Sequence, residues 1–445
     1  MTKRSTNGVS ATLATATCSL LGTTAIQPVR AEDFERWEFD TAFLYYGENE
    51  NRVQDASVNI LATRDFLDDR KLSLGLTVDA LTGATPNGAL AQPVPQTFTR
   101  PSGASTYTVP AGDVPLDDTF LDTRVALTGT WTQPVGRLNT FSIGTSFSTE
   151  YDYTHLGLNA RFARDFNQRN STLSAGFAIA RDEIDAVGGT PYPLAPMRDA
   201  TEDDNDGDND LEDVERRGTQ SKDVLDFVVG LTQVLSRDTI AQVNYSYSNS
   251  SGYLTDPYKV VTVVDPLTGM AFSRVPPPGV DGPDHVYLYE SRPDSRAKHS
   301  LYAQVKHNWA GAVLDVSYRY MTDDWDIDSH TIDTRLRWPL GTRAYLEPHL
   351  RYYTQTEANF YTVSLEDGTP IPAYASNDYR LGQFDAITAG LKYGWETRGG
   401  NDMSVRVELY QQRGDVPGEQ LVGDQAESWV FPDLDAIIAQ FSFRF

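Results

Sequence analysis

The sequence predicts an all-β chain, a transmembrane antiparallel up-and-down β-barrel of about sixteen strands with short turns at one end and long loops at the other. Three observations predict it. Apolar and polar residues alternate along short segments from end to end. Tight turns and long connections succeed one another along the chain, and tryptophans gather at one set of strand ends. Composition agrees: mean hydropathy is −0.42 and 40% of the 445 residues are hydrophobic. No run of about 18 apolar residues occurs, so no membrane-spanning helix is expected. A barrel strand needs only every second residue to be apolar.

The chain opens on a basic start, Lys3 and Arg4, followed by a weakly apolar stretch from Val9 to Ile26. Val29-Arg30-Ala31 then offers small residues at the −3 and −1 positions of a cleavage site. This predicts a cleavable signal peptide over 1–31 and a barrel over 32–445. Cys18, the one cysteine, lies in the signal, and Thr15-Ala16-Thr17-Cys18 lacks the leucine of a lipoprotein signal. The mature chain therefore has no disulfide, thiolate chemistry or covalently attached haem. Cleavage removes three of the 37 basic residues (Lys3, Arg4 and Arg30) and none of the 62 acidic ones, so the net charge moves from −25 to −28. Such an excess argues against nucleic acid as a partner.

Strand alternation is explicit. Trp37, Phe39, Phe43 and Tyr45 share one face, with Glu38 and Asp40 on the other; Leu72, Leu74, Leu76 and Val78 alternate with Lys71, Ser73, Thr77 and Asp79. Ala241, Val243, Tyr245 and Tyr247 alternate with Gln242, Asn244, Ser246 and Ser248. Tight turns are expected at 67–70, 134–137, 167–170, 236–238, 309–312, 339–342 and 399–401, with connections near 47–51, 83–119, 150–152, 184–221, 251–297, 322–329, 356–383 and 414–433 between them. With a periplasmic N-terminus, every tight turn falls on the periplasmic side and every long loop outside. Trp37, Trp131, Trp309, Trp338 and Trp395 all fall at the periplasmic ends, as an interfacial girdle requires. The chain ends Phe441-Ser442-Phe443-Arg444-Phe445, the alternating aromatic ending that barrel assembly machinery reads.

Seven segments resemble a proteobacterial family, domain of unknown function 3570. The first is Pro115-Leu116-Asp117-Asp118-Thr119-Phe120-Leu121-Asp122-Thr123-Arg124-Val125-Ala126-Leu127. The others are SGYLTDPYK (251–259), ESRPDSRAKHSLY (290–302), LEPHLRYY (346–353), YASNDYRL (374–381), FDAITAGLKYG (384–394) and FPDLDAIIAQFSFRF (431–445). The resemblance spans the mature chain. It implies an outer-membrane protein and brings no activity with it. Family members are often encoded near flavin-transfer and thioredoxin-like proteins, which implies a redox-linked envelope system. The acidic insert at 202–215 is longer than the family usually carries.

Two constellations carry chemistry. Around Gly207, the residues Glu202, Asp204, Asp206, Asp208, Asp210 and Asp213 occupy positions 1, 3, 5, 7, 9 and 12 of an EF-hand-like loop, an oxygen set suited to Ca²⁺. Asn209 at position 8 and the short Asp213 at position 12 depart from that pattern, and a solvated acidic loop is the alternative. The second set lies on the polar face of the C-terminal strands: Asp315, Arg319, Asp333, Arg335, Arg337, Glu347, His349, Arg351, Lys392, Arg406 and Glu408. An arginine on the lipid face near the midplane would cost roughly 2–4 kcal/mol, so this face is expected to line the lumen. There it forms either a charged pore lining or a set of structural ion pairs.

No histidine pair has metal spacing, and no phosphate loop, dinucleotide fingerprint or zinc motif occurs. A Ser–His pair on the barrel wall cannot be placed from sequence, and no enzyme is expected. The expectation is a porin-like conduit of the Gram-negative outer membrane, narrowed by loops 83–119 and 251–297. Its alternative is a non-conducting barrel of a redox-linked envelope system, either structural or binding a periplasmic or surface protein; in both cases lipid and the assembly machinery are partners.

Overall fold

The structure, a computed structural model, describes residues 37–49, 52–66, 68–99, 106–197, 216–273, 285–416, 421–423, 425 and 433–445. The first half of the chain runs β1 (Trp37–Glu48), β2 (Val53–Asp65), β3 (Lys71–Pro86), β4 (Gln96–Thr99), β5 (Thr106–Val109), β6 (Leu116–Pro134), β7 (Asn139–Thr149), β8 (Tyr153–Phe166), β9 (Ser171–Ile184) and β10 (Gln220–Ser236). The second half runs β11 (Thr239–Gly252), β12 (Val260–Val264), β13 (Tyr287–Tyr289), β14 (Ser295–Trp309), β15 (Ala312–Asp323), β16 (Asp328–Leu340), β17 (Ala344–Gln355), β18 (Leu365–Glu366), β19 (Phe384–Glu396), β20 (Asp402–Gly414) and β21 (Leu434–Arg444). Sixteen of these close a single antiparallel barrel, in the order β1-β2-β3-β6-β7-β8-β9-β10-β11-β14-β15-β16-β17-β19-β20-β21.

Alternation places the side chains. Phe43, Leu156, Leu350 and Leu409 point outward with 48%, 57%, 57% and 59% of their surface uncovered by protein. Such a continuous apolar exterior is stable only in lipid. No helix among the described residues is long and apolar enough to cross a membrane. The register is continuous apart from two irregularities, between Val234 and Ser236 in β10 and between Gly83 and Thr85 in β3. Consecutive barrel strands meet at one end through tight turns, several of them built on left-handed residues such as Asp69, Ala310 and Gly311.

The ends of the chain seal the ring. β1 pairs with β21, with Phe43 opposite Phe441 and Asp40 opposite Arg444. Phe39 and Phe445 exchange backbone hydrogen bonds of 2.9 and 3.1 Å, and their rings stack at 5.1 Å. Arg444 Nε lies 2.9 Å from Glu38 and also contacts Asp40. Closure leaves the barrel ring no free strand edge.

The loop end is different in kind. The described residues of five connections, 87–115, 185–219, 253–294, 356–383 and 415–433, pack against one another. Ala89, Phe98 and Val109 from the first bury against Met197 from the second and Val260, Tyr287 and Tyr289 from the third. Leu90, Val264 and Val363 form another cluster from three loops, with Val416 and Leu421 of the last loop packed on it. Strand β12 carries the third loop across the mouth: it pairs antiparallel with β13 and parallel with β18 of the fourth loop. At about 1.5–3 kcal/mol for each large apolar side chain buried, these clusters form a cap with its own core, distinct from the barrel wall.

Candidate functional site: a capped, charged lumen

On the C-terminal wall the register sets the charges in rows. Asp315, Arg335, His349, Gly390 and Glu408 are successive partners across β15, β16, β17, β19 and β20. Asp333 stands opposite Arg351, Glu347 opposite Lys392, and Lys392 opposite Arg406. All lie on the face opposite the exposed Ile332, Leu350, Leu391 and Val407, which is the lumen side. His349 is the centre of the group: Nε2 lies 2.9 Å from Asp333 and Nδ1 lies 2.8 Å from Glu408. With both nitrogens facing carboxylates, a doubly protonated ring satisfies the two contacts at once. Arg335 sits 3.4 Å from Asp333 and Arg406 sits 3.7 Å from Glu408. Glu408 is two strands away from His349, and the gap between them is Gly390, where a Cβ would stand 2.5 Å from Glu408 Cγ.

The rest of the wall pairs more loosely. Asp315 accepts from Gln304 at 2.7 Å and faces Lys306 at 3.2 Å. Arg319 lies over the Tyr302 ring and Arg337 over the Tyr345 ring, at 5.8 and 3.7 Å. Nearer the turn end an inward side chain is left uncovered: Leu61, an inward partner of Gly75 beside Thr128, is 41% exposed.

Above this wall the cap is fastened by a buried lock of six charges. Asp256 and Lys259 come from the start of the loop after β11, Glu290 and Arg292 from its end, and Asp378 and Arg380 from the loop before β19. Arg292 bridges Glu290 at 2.6 Å and Asp378 at 2.7 Å. Arg380 forks onto Asp378 at 2.8 and 2.9 Å and reaches Asp256 at 2.9 Å. Asp256 N–H donates to Glu290 Oε1 at 2.7 Å, and Ser376 donates to the other oxygen. Lys259 Nζ donates to the carbonyl of Pro86, tying the lock to the top of β3. The close pass of Gly88, φ +92, completes this corner: a Cβ there would stand 2.4 Å from the Val260 carbonyl.

The lock is charge-matched, three carboxylates against three cations, and its members polarise one another. Burial alone would raise the Asp378 carboxyl, but Arg380, Arg292 and Lys259 outweigh it and hold it below the ordinary carboxylate range. Burial pushes Glu290 up despite Arg292 and pushes the Lys259 ammonium down. A network so enclosed adds little net stability over an apolar core, but removing one partner strands a buried charge.

A separate acidic group sits where β7 turns into β8. Oxygens of Asp122, Glu150 and Asp152 lie within 4.8 Å of one another, and among the described residues this is the group that could share a cation. Burial, then the nearby Asp122, pushes Glu150 up to about 8, and burial pushes Asp152 up to about 6 although Tyr258 of the cap donates to it. Those carboxyls therefore hold protons where ordinary carboxylates have lost them. The Ca²⁺ loop expected at Glu202–Asp213 lies outside the described residues.

The sequence profile of the family described as "Protein of unknown function (DUF3570)" matches residues 10–445. The chain belongs to that family. Its lock residues all fall within three of the segments that carry the resemblance, 251–259, 290–302 and 374–381. Those DUF3570 segments thus hold the cap and its fastening as well as barrel wall. No curated protein matches the chain. Among solved structures it is similar to the ferric enterobactin receptor PfeA of Pseudomonas aeruginosa, at TM-score 0.41 and 10% identity over 86% of this chain and 55% of the receptor. It is also similar to a bacterial polysaccharide outer membrane secretin (TM-score 0.44, 8% identity, 93% of this chain and all of that one) and to the CymD monoaromatic hydrocarbon channel (0.39, 8%, 93% and 88%). The chain spans about half the length of the receptors. Likeness at this level says nothing of what the chain does.

Proposed function

We propose that this DUF3570 protein is a porin-like conduit of the Gram-negative outer membrane that its own cap holds shut, with the turn end facing the periplasm. The observation that supports it is the charged wall beneath a locked cap. A sixteen-strand barrel is wide enough for an aqueous channel. Of the eleven C-terminal wall residues, six carry permanent positive charge and four are carboxylates, so this wall favours small anions although the chain as a whole is acidic. The loops after β3 and β11 do more than narrow the mouth: with three others they close it.

The test is planar-bilayer conductance of the refolded, signal-free protein beside Arg292→Met, which leaves Glu290 and Asp378 without their shared guanidinium. Wild type is expected to conduct in rare, brief steps, and the variant in sustained ohmic steps with anion-preferring reversal potentials. Two folded, heat-modifiable barrels that both stay silent would sink the conduit. The second reading would then stand, a closed barrel whose cap is the surface offered to an envelope partner; the cap's own apolar core is the observation that favours it.

A further inference from the structure

Ser146, His155 and Asp182 stand on three successive strands, β7, β8 and β9, and face the lumen just below the cap. Ser146 Oγ lies 2.9 Å from His155 Nε2, and His155 Nδ1 lies 2.6 Å from Asp182 Oδ1. The second Asp182 oxygen accepts from Tyr153 at 2.5 Å and faces Lys222 at 2.9 Å. Register explains the meeting. His155 is paired with Asp182 across β8 and β9, while Ser146 is paired with Gly157, the next inward position after His155. A Cβ on Gly157 would stand 2.5 Å from Ser146 Oγ and 3.1 Å from His155 Nε2. The missing side chain is what lets hydroxyl and imidazole meet.

Hydroxyl, imidazole and carboxylate in this order form the arrangement that activates a serine. Asp182 holds a proton on Nδ1, so Nε2 is left to accept from the hydroxyl. His155 and Asp182 are buried, whereas Ser146 is half-buried and looks onto a patch of small inward residues, Gly144, Gly157, Ala178 and Ala180. Backbone N–H groups here are committed to the strand ladder, so a developing oxyanion needs a side-chain donor. Asn159 is placed for it: its amide lies 2.9 Å from where a Cβ on Gly144 would stand.

We propose that Ser146 and His155 are the catalytic pair, and Asp182 the positioning residue, of a serine-hydrolase site that opens to the lumen and cleaves small carboxylic esters. Ser146 Oγ attacks the ester carbonyl as its proton passes to His155 Nε2. The C–O bond to the leaving alcohol then breaks, and that alcohol takes the proton back from His155. Water, deprotonated by the same nitrogen, cleaves the acyl-serine and restores the hydroxyl. Asn159 donates to the oxyanion.

The experiment uses the full mature chain folded in detergent, with heat-modifiable migration as the folding check. It is treated with a fluorophosphonate probe and assayed on p-nitrophenyl acetate and mono-p-nitrophenyl succinate. Labelling of the Ser146 peptide is expected, lost in Ser146→Ala. Ester hydrolysis is expected to fall about 100-fold or more in Ser146→Ala and His155→Gln. Folded wild type that is unlabelled and no faster than Ser146→Ala overturns the proposal, as does a label on any other residue.

Discussion

Gly390 has no side chain, and that absence lets His349 reach Glu408 across a whole strand. Gly390→Ala is expected to push Glu408 aside, break the 2.8 Å contact with His349, and cost about 1–3 kcal/mol by overpacking. A lowered temperature of unfolding on heat-modifiable gels, restored in part by Glu408→Ser, checks it. Glu150 makes a second prediction at this scale. The unfolded chain releases its proton near 4.5 and the folded barrel holds it to about pH 8, so the folded state binds more protons between those values. Stability therefore falls as pH rises through that interval. Between pH 5 and 9 the wild type should lose about 1–3 kcal/mol more than Glu150→Gln, and parallel pH profiles for the two would refute the assignment. Alternation of polar and apolar residues was enough to put His349 on the lumen side, but not to give it two carboxylates. Asp333 is 16 residues from it and Glu408 is 59, and only strand register says which residues share a row.

The cap is where elements matter more than residues. Strand alternation made the barrel legible because each strand reports its own two faces locally, as in Leu72 to Asp79. Loops carry no such period. That Asn377 would donate to the Gly88 carbonyl, 289 residues away, or that β12 would pair with β18, depends on where the ring delivers its loops. The five-residue run Val260-Val261-Thr262-Val263-Val264 is buried throughout, and sequence shows only that it is a strand. The lock gives this layer its own failure mode. Asp378→Asn leaves Arg292 and Arg380 short of a carboxylate and should loosen the cap by about 3–5 kcal/mol while the barrel ladder is untouched. Limited proteolysis from the loop end is the readout: loops 253–294 and 356–383 should be cut at least tenfold faster, with heat-modifiability unchanged. Equal cutting of variant and wild type would mean that the apolar clusters hold the cap without the lock.

At the scale of the whole molecule the barrel is asymmetric, with tight turns at one end and packed loops at the other, and the proposed closure of the loop end predicts that accessibility is directional. Leu61 reports on it, because it faces the lumen close to the turns and is 41% exposed. The chain's single cysteine, Cys18, lies in the segment expected to be cleaved, so Leu61→Cys provides one thiol to follow. A charged maleimide too large for the membrane is added to intact cells, and then to cells with a permeabilised outer membrane. With the cap locked, labelling from outside should be slow and should rise at least tenfold on permeabilisation. Combining Leu61→Cys with Arg292→Met should abolish most of that difference, since the reagent then enters past the cap. Fast labelling of the locked protein from outside would mean that water and solutes already pass the cap. The lock would then fasten a surface feature beside an open channel, and regulation of flow would have to lie in the charged wall itself.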